Sequence, residues 1–224
     1  MGEFLEGIKG YNDVEITEIG NKPKDIVPGA YVLKIKQAKI ERYSASSIAI
    51  KLMFDIAEGE YKSYYDELYK YNKSGQYAES AKWKGTFKIW YPTESDSPDD
   101  YKKSVTNLKR AITAINDSNS GKKIDPEKGI NLDDFKNKIV GGAFGLVDWS
   151  MDGRTGTKCE CRWLVSAEKA RSGDVAIPKH KGLKGAEPLS ETDNNQESTV
   201  SEPLQQGGDL GDFAEIISDG DIPF

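Results

Sequence analysis

Histidine and cysteine are scarce in this chain: one His (His180) and two Cys (Cys159 and Cys161) among 224 residues. Two cysteines cannot build a disulfide framework, which makes a reducing compartment the expectation. Cys159 and Cys161 also lack the second cysteine pair or nearby His that a structural zinc needs, so buried reduced thiols are expected and no metal. A lone histidine leaves nothing for a His-based catalytic triad. No G-x-x-x-x-G-K-[ST] phosphate loop and no H-E-x-x-H is present. The acids Glu94, Asp96, Asp99 and Asp100 are accounted for by a helix N-terminus. The expectation is a protein that is not an enzyme and carries no cofactor. Apolar runs stop at three or four residues, too short for a membrane span or a signal-peptide core. Glu6 stands where a myristoylation site wants Ser or Thr. A cytoplasmic protein with no membrane partner is expected.

Charge is present in both signs but unevenly placed. The formal net charge is −6, yet residues 1–180 sum to +2 and residues 181–224 to −8. Residues 30–171 hold 25 basic and 20 acidic side chains, whereas residues 1–29 hold 3 and 6. Of 22 aromatic residues only Phe213 and Phe224 lie beyond residue 180. A stretch this acidic and this poor in aromatics cannot bury enough apolar surface to offset chain ordering. Three parts are expected: an N-terminal extension (1–29), a folded domain (30–171) and a disordered acidic tail (172–224).

Within the middle part Ile48, Ile50, Leu52, Phe54 and Ile56 alternate with Ala49, Lys51, Met53 and Asp55, the period of a half-buried strand. A strand is also expected over Tyr31–Tyr43, where Lys34 and Lys36 project opposite Leu33 and Ile35. Extended stretches over Tyr61–Tyr71 and Lys82–Tyr91 would add a hairpin. Tyr101, Val105, Leu108, Ile112 and Ile115 then form a helical stripe, opened by Ser97 as cap and Pro98 at the first turn. A short helical piece is expected near Asn131–Asn137, capped by Asn131. Ile139–Trp149 and Thr157–Ser166 read as two strands around the turn Asp152-Gly153-Arg154. The fold class is thus mainly β with one or two helices. Three to four strands, a helix and a hairpin match the order of a five-stranded OB-fold-like barrel, here with an extra extended hairpin. A mixed α+β sheet fits the same string.

Residues 61–91 carry ten aromatics and six lysines against three acids. Lysines attract a phosphate backbone, and aromatic faces stack on unpaired bases at roughly 1–3 kcal/mol each. Strand alternation separates Trp83, Phe87, Ile89 and Tyr91 from Lys82, Lys84, Lys88 and Trp90, which makes Trp90 the first candidate for a stacking platform. The competing reading has Trp90 covering lysine stems at a sheet edge. Tyr64, Tyr65 and Tyr69, with Lys62 and Lys70 beside them, fall on both faces of an extended segment, so at least one tyrosine is expected outside. Lys34, Lys36, Lys51 and Met53 point away from the apolar rows, and Arg154, Lys158 and Arg162 would extend a cationic path.

The chain closes on Asp219-Gly-Asp221-Ile222-Pro223-Phe224, acids leading into a small apolar tip suited to a basic-rimmed apolar pocket. These residues closely resemble the tip of bacterial single-stranded DNA-binding proteins, with Gly220 in place of one acid. The body resembles single-stranded DNA-binding proteins of tailed phages of Gram-positive bacteria, in Glu60-Tyr-Lys62, Asn137-Lys-Ile-Val-Gly-Gly-Ala-Phe-Gly145 and Lys158-Cys-Glu-Cys-Arg-Trp163. The resemblance implies an OB-fold that coats and protects single-stranded DNA in replication, recombination or repair. It also implies a tip (Asp219, Asp221, Ile222, Pro223, Phe224) that recruits replication or repair proteins, and a host-cytoplasm location for a phage-encoded chain. A homo-oligomer is compatible with it, but the 30 or so residues ahead of the first strand prevent carrying over the bacterial tetramer interface. The alternative is a single-strand annealing or recombination-mediator protein using the same patch.

Overall fold

The structure is a computed structural model. It describes residue 9 and residues 21–189, apart from residues 45, 46, 76, 77, 95, 152 and 187. The expected alternation builds the first hairpin: β1 (Gly29–Ser44) pairs antiparallel with β2 (Ser47–Ile56). Leu33, Ile35, Leu52 and Phe54 are almost wholly buried on one face. β2 pairs with β3 (Thr86–Tyr91), and the other edge of β1 pairs with β4 (Ile139–Met151), which pairs with β5 (Arg154–Val165). The result is the expected mainly β architecture, five antiparallel strands in one sheet ordered β3-β2-β1-β4-β5. The sheet does not close into a barrel; β3 and β5 approach each other across the core without pairing.

The extra extended hairpin is replaced by a helix. Residues expected to extend over Tyr61–Tyr71 instead wind into α1 (Tyr64–Ser74). Tyr64, Tyr65 and Leu68 then share a helical stripe on the core, and Tyr61, in the turn ahead of the helix, packs beside them. Asp66 and Glu67 in the first turn and Lys73 in the last suit the helix dipole. The buried Asp55 carboxylate receives the amide of Tyr65 at 3.0 Å and so ties β2 to the start of this helix.

α2 (Pro98–Asp117) forms as expected, with Ser97 Oγ accepting the Asp100 amide and Leu108, Ile112 and Ile115 buried against the inner face of the sheet, but Tyr101 and Val105 of the expected stripe lie on its exposed first turns. The Asn131 cap is also present, on a 3₁₀ turn over Leu132–Phe135 rather than an α-helix. Phe135 is fully buried. α3 (Ala167–Ser172) packs Ala167 and Ala170 on Val32, on the opposite face of the sheet.

Ordered structure continues past the expected boundary at residue 172. β1 no longer pairs with β4 beyond Phe144, and Lys181 occupies the vacated edge. Its amide donates to Leu146 O and its carbonyl accepts from Asp148 N, each at 2.9 Å. The side chain of Asp148 secures this segment by accepting from Thr157 Oγ1, His180 Nε2 and Leu189 N, each at 2.7 Å. His180 is therefore half-buried and held against β4. Burial pushes the Asp148 carboxyl up, but these hydrogen bonds and the charge of His180 outweigh it and hold it below the ordinary range. Its contribution is therefore complete above the unfolded value near 3.9 and is lost as pH falls through the lower folded value. Replacement of Asp148 by alanine is expected to release residues 178–189, read as at least a tenfold loss of hydrogen-exchange protection at the Lys181 amide. Unchanged protection would contradict this role.

Residues 190–224, including the whole acidic tip, lie outside the described residues, as do nearly all of residues 1–20. In the N-terminal extension, Ile26 reaches the core and Val27 O accepts the Tyr31 hydroxyl. Among the described residues no helix is long and apolar enough to cross a membrane.

Candidate nucleic-acid interface

The outer face of β1, β2 and β3, opposite the core, is assembled by strand register. One row across it is Glu41, Ala49 and Trp90; the next is Lys39, Lys51 and Lys88; the third is Gln37, Met53 and Thr86. Rows recur every two residues, about 7 Å apart, so the three rows span about 14 Å. Trp90 lies over this face rather than in the core, half-buried, with its ring 5.3 Å from that of Tyr43. The Lys88 ammonium stands 4.8 Å from the centre of the Tyr43 ring. Two aromatic rings are thus presented beside a row of three lysines.

Glu41 sits among these cations. It holds Lys51 at 2.6 Å and Lys88 at 3.6 Å and accepts the Tyr43 hydroxyl. Burial raises its carboxyl, but the Lys51 and Tyr43 hydrogen bonds and both ammonium charges outweigh that and hold it below its ordinary value. The anion pre-positions the lysines and the Tyr43 ring while cancelling part of their charge.

Beyond the third row the face continues to Trp83, whose Nε1 donates to Phe54 O at 3.0 Å and Gly85 O at 3.1 Å. Trp83 precedes β3 in the chain, and its ring is half-buried beneath the Lys36 ammonium at 4.5 Å. Lys36 also faces Asp55 at 3.3 Å and Asp66 at 3.8 Å. Tyr69 lies beside Trp83 with ring centres 5.9 Å apart.

The structure brings together Lys36, Lys51, Met53, Lys88, Trp90 and, at the Trp83 end, Tyr69. Lys34 stands exposed opposite Asp55, and Lys82 and Lys84 are exposed on the segment leading into β3. Lys62 is exposed ahead of α1, and Lys70 is exposed and paired with Asp66 at 2.7 Å. Two tyrosines move to the core. Tyr64 and Tyr65 are 7% and 5% exposed because the helix turns both inward, Tyr65 edge-on to Phe54 at 5.6 Å. Neither is available to stack on a base.

Arg154, Lys158 and Arg162 do not extend the path. They lie on β5, separated from β2 by β1 and β4, and α3 covers the sheet between at Val32 and Gly141. Lys158 and Arg162 also share Glu160, at 2.9 and 3.3 Å. Cys159 and Cys161 turn toward the core, where burial pushes the Cys159 thiol up to about 12 and the Cys161 thiol up further. Among the described residues no group of three or more His, Cys, Asp or Glu is placed to hold a metal ion.

Neither a family model nor a curated protein matches the chain. The reading of the face therefore rests on its own geometry.

Sequence reasoning missed Tyr43, Lys39, Glu41 and Gln37. The cause is the register shift between Ile35 and Gln37, which inserts Lys36 as an extra residue. Beyond it the outward positions become odd-numbered. Continuing the Lys34–Lys36 alternation points the wrong side outward. The available signal was the polar set Lys39, Glu41 and Tyr43 alternating with Ala38 and Ile40.

Proposed function

We propose that this chain binds single-stranded DNA along the outer face of β1, β2 and β3, with bases on the Tyr43 and Trp90 rings and phosphates on Lys39, Lys51 and Lys88. Binding protects the strand in replication, recombination or repair, and the Asp219–Phe224 stretch recruits partner proteins. The observation carrying the reading is the ring pair beside the three-lysine row, outside the core and set by strand register. Stacking of this kind tolerates any sequence, and phosphate contact makes it sensitive to salt.

The test is tryptophan fluorescence titrated with single- and double-stranded oligonucleotides at two salt concentrations. Quenching by single strands only, weakened by salt, is expected; equal quenching by duplex, or none, would contradict the reading. Glu41→Gln supplies a second check. Removing the anion between Lys51 and Lys88 is expected to tighten single-strand binding several-fold at low salt and to steepen its salt dependence. Weaker binding at every salt concentration would assign Glu41 a purely positioning role.

A further inference from the structure

At the Trp83 end the face opens into a cavity of about 360 Å³, lined by Lys36, Gln37, Met53, Trp83, Asp133 and Lys136 among others. We infer that this cavity is a guanine-selective subsite for one nucleotide of a bound single strand. The inference rests on the single-strand reading of the neighbouring face and adds base preference to it.

Its volume lies at the small end of ligand sites, about 300–1,000 Å³, room for a single nucleotide. It is continuous with the interface, because Gln37 and Met53 form the third row of the outer face. Two cations, Lys36 and Lys136, lie at a site that also contains a carboxylate. That carboxylate is the decisive feature. The neighbouring Asp134 is taken by Lys122 at 2.8 Å, whereas the Asp133 carboxylate is exposed to solvent and, among the described residues, nothing pairs with it. A site serving phosphate alone gains nothing from an unpaired anion, which repels phosphate. A base edge with donors does gain.

Guanine is the only standard base that presents two adjacent donors, N1–H and N2–H₂, to match both oxygens of one carboxylate. The adjacent O6 acceptor suits an amide or ammonium donor, and Gln37, Lys36 and Lys136 line the same cavity. Adenine and cytosine offer one amino group each, and thymine a single ring N–H. Splayed-out bases of single strands are read in this way along their Watson–Crick edges. Met53 supplies apolar surface for the base plane, beside the Trp83 ring that the Lys36 ammonium covers. The fixed 3₁₀ turn carries Asp133: Asn131 Oδ1 accepts the Asp133 amide at 3.0 Å, and Phe135 anchors the turn in the core.

The test uses the full chain and three 12-nucleotide probes: oligo-dT, the same strand with two dG, and the same strand with dI in place of dG. Inosine keeps N1–H and O6 but lacks the 2-amino group. Tighter binding of the dG probe by roughly fivefold or more is expected, from the usual worth of a bidentate base contact. The preference should shrink with dI, and Asp133→Asn should bring the dG-to-dT ratio close to one. Equal affinity for dG and dT probes overturns the subsite and leaves the single-strand reading standing. A guanine preference that survives Asp133→Asn overturns the assignment to this cavity. Failure of all three probes to bind overturns both.

Discussion

Replacing Trp90 by alanine is expected to weaken single-stranded DNA binding roughly 5- to 150-fold, the loss of one stacked base at about 1–3 kcal/mol. The ring is half-buried and contacts Tyr43, so its removal strips one side of the platform and frees the other. The fold should survive, because β3 is held by its pairing with β2 and by Ile89, buried on the core face. Trp90→Phe should restore most of the affinity, since stacking needs a π-face rather than an indole. The measurement is oligonucleotide affinity at fixed salt, with circular dichroism to verify the fold. A change below twofold in Trp90→Ala would leave the ring as a cover for lysine stems, the reading that competes with it.

The largest effect on stability is expected from Phe54→Ala. Phe54 is 1% exposed and meets Tyr65 edge-on at 5.6 Å and Phe144 at 6.1 Å. Its amide donates to Gly85 O at 2.8 Å, and its carbonyl accepts the indole N–H of Trp83. Truncating a buried phenylalanine typically costs about 3–5 kcal/mol. For a domain of this size each kcal/mol lowers Tm by about 2–4 °C, so a fall of roughly 6–20 °C is expected. The side chain joins β2, α1 and β4, so denaturant unfolding should shift its midpoint with little change in slope. A shift below about 2 °C would show that the aromatic cluster does not hold these elements together.

Much of the sheet is legible in the residues because burial on one face imposes a period of two. Ile50, Leu52, Phe54 and Ile56 all reach the core, and the Leu108–Ile112–Ile115 stripe with its Ser97 cap places α2. The tyrosine-rich segment misleads for a physical reason. β propensity reflects packing on a half-buried pleated surface, and Tyr64 and Tyr65 find that burial on a helix instead. The same misreading sends them to the site list, where their aromatic content suggests stacking and their burial forbids it.

Trp90 is legible since β3 carries no register shift. Tyr43 is not, because the bulge at Lys36 reverses which side of β1 faces out. The boundary near residue 172 fails in another way. Composition marks the acidic stretch, but the segment over Pro178–Leu189 is held by backbone pairing with β4 and by one buried aspartate. Neither leaves a trace in local hydropathy.

Photo-crosslinking with a halogenated-uracil single strand, followed by mass spectrometry of the adducts, tests the proposed interface most directly. Adducts at Tyr43, Trp90 and Met53 are expected, and duplex of the same sequence should suppress them. Adducts confined to α2 or to β5, with none on the outer face of β1, β2 and β3, would contradict it.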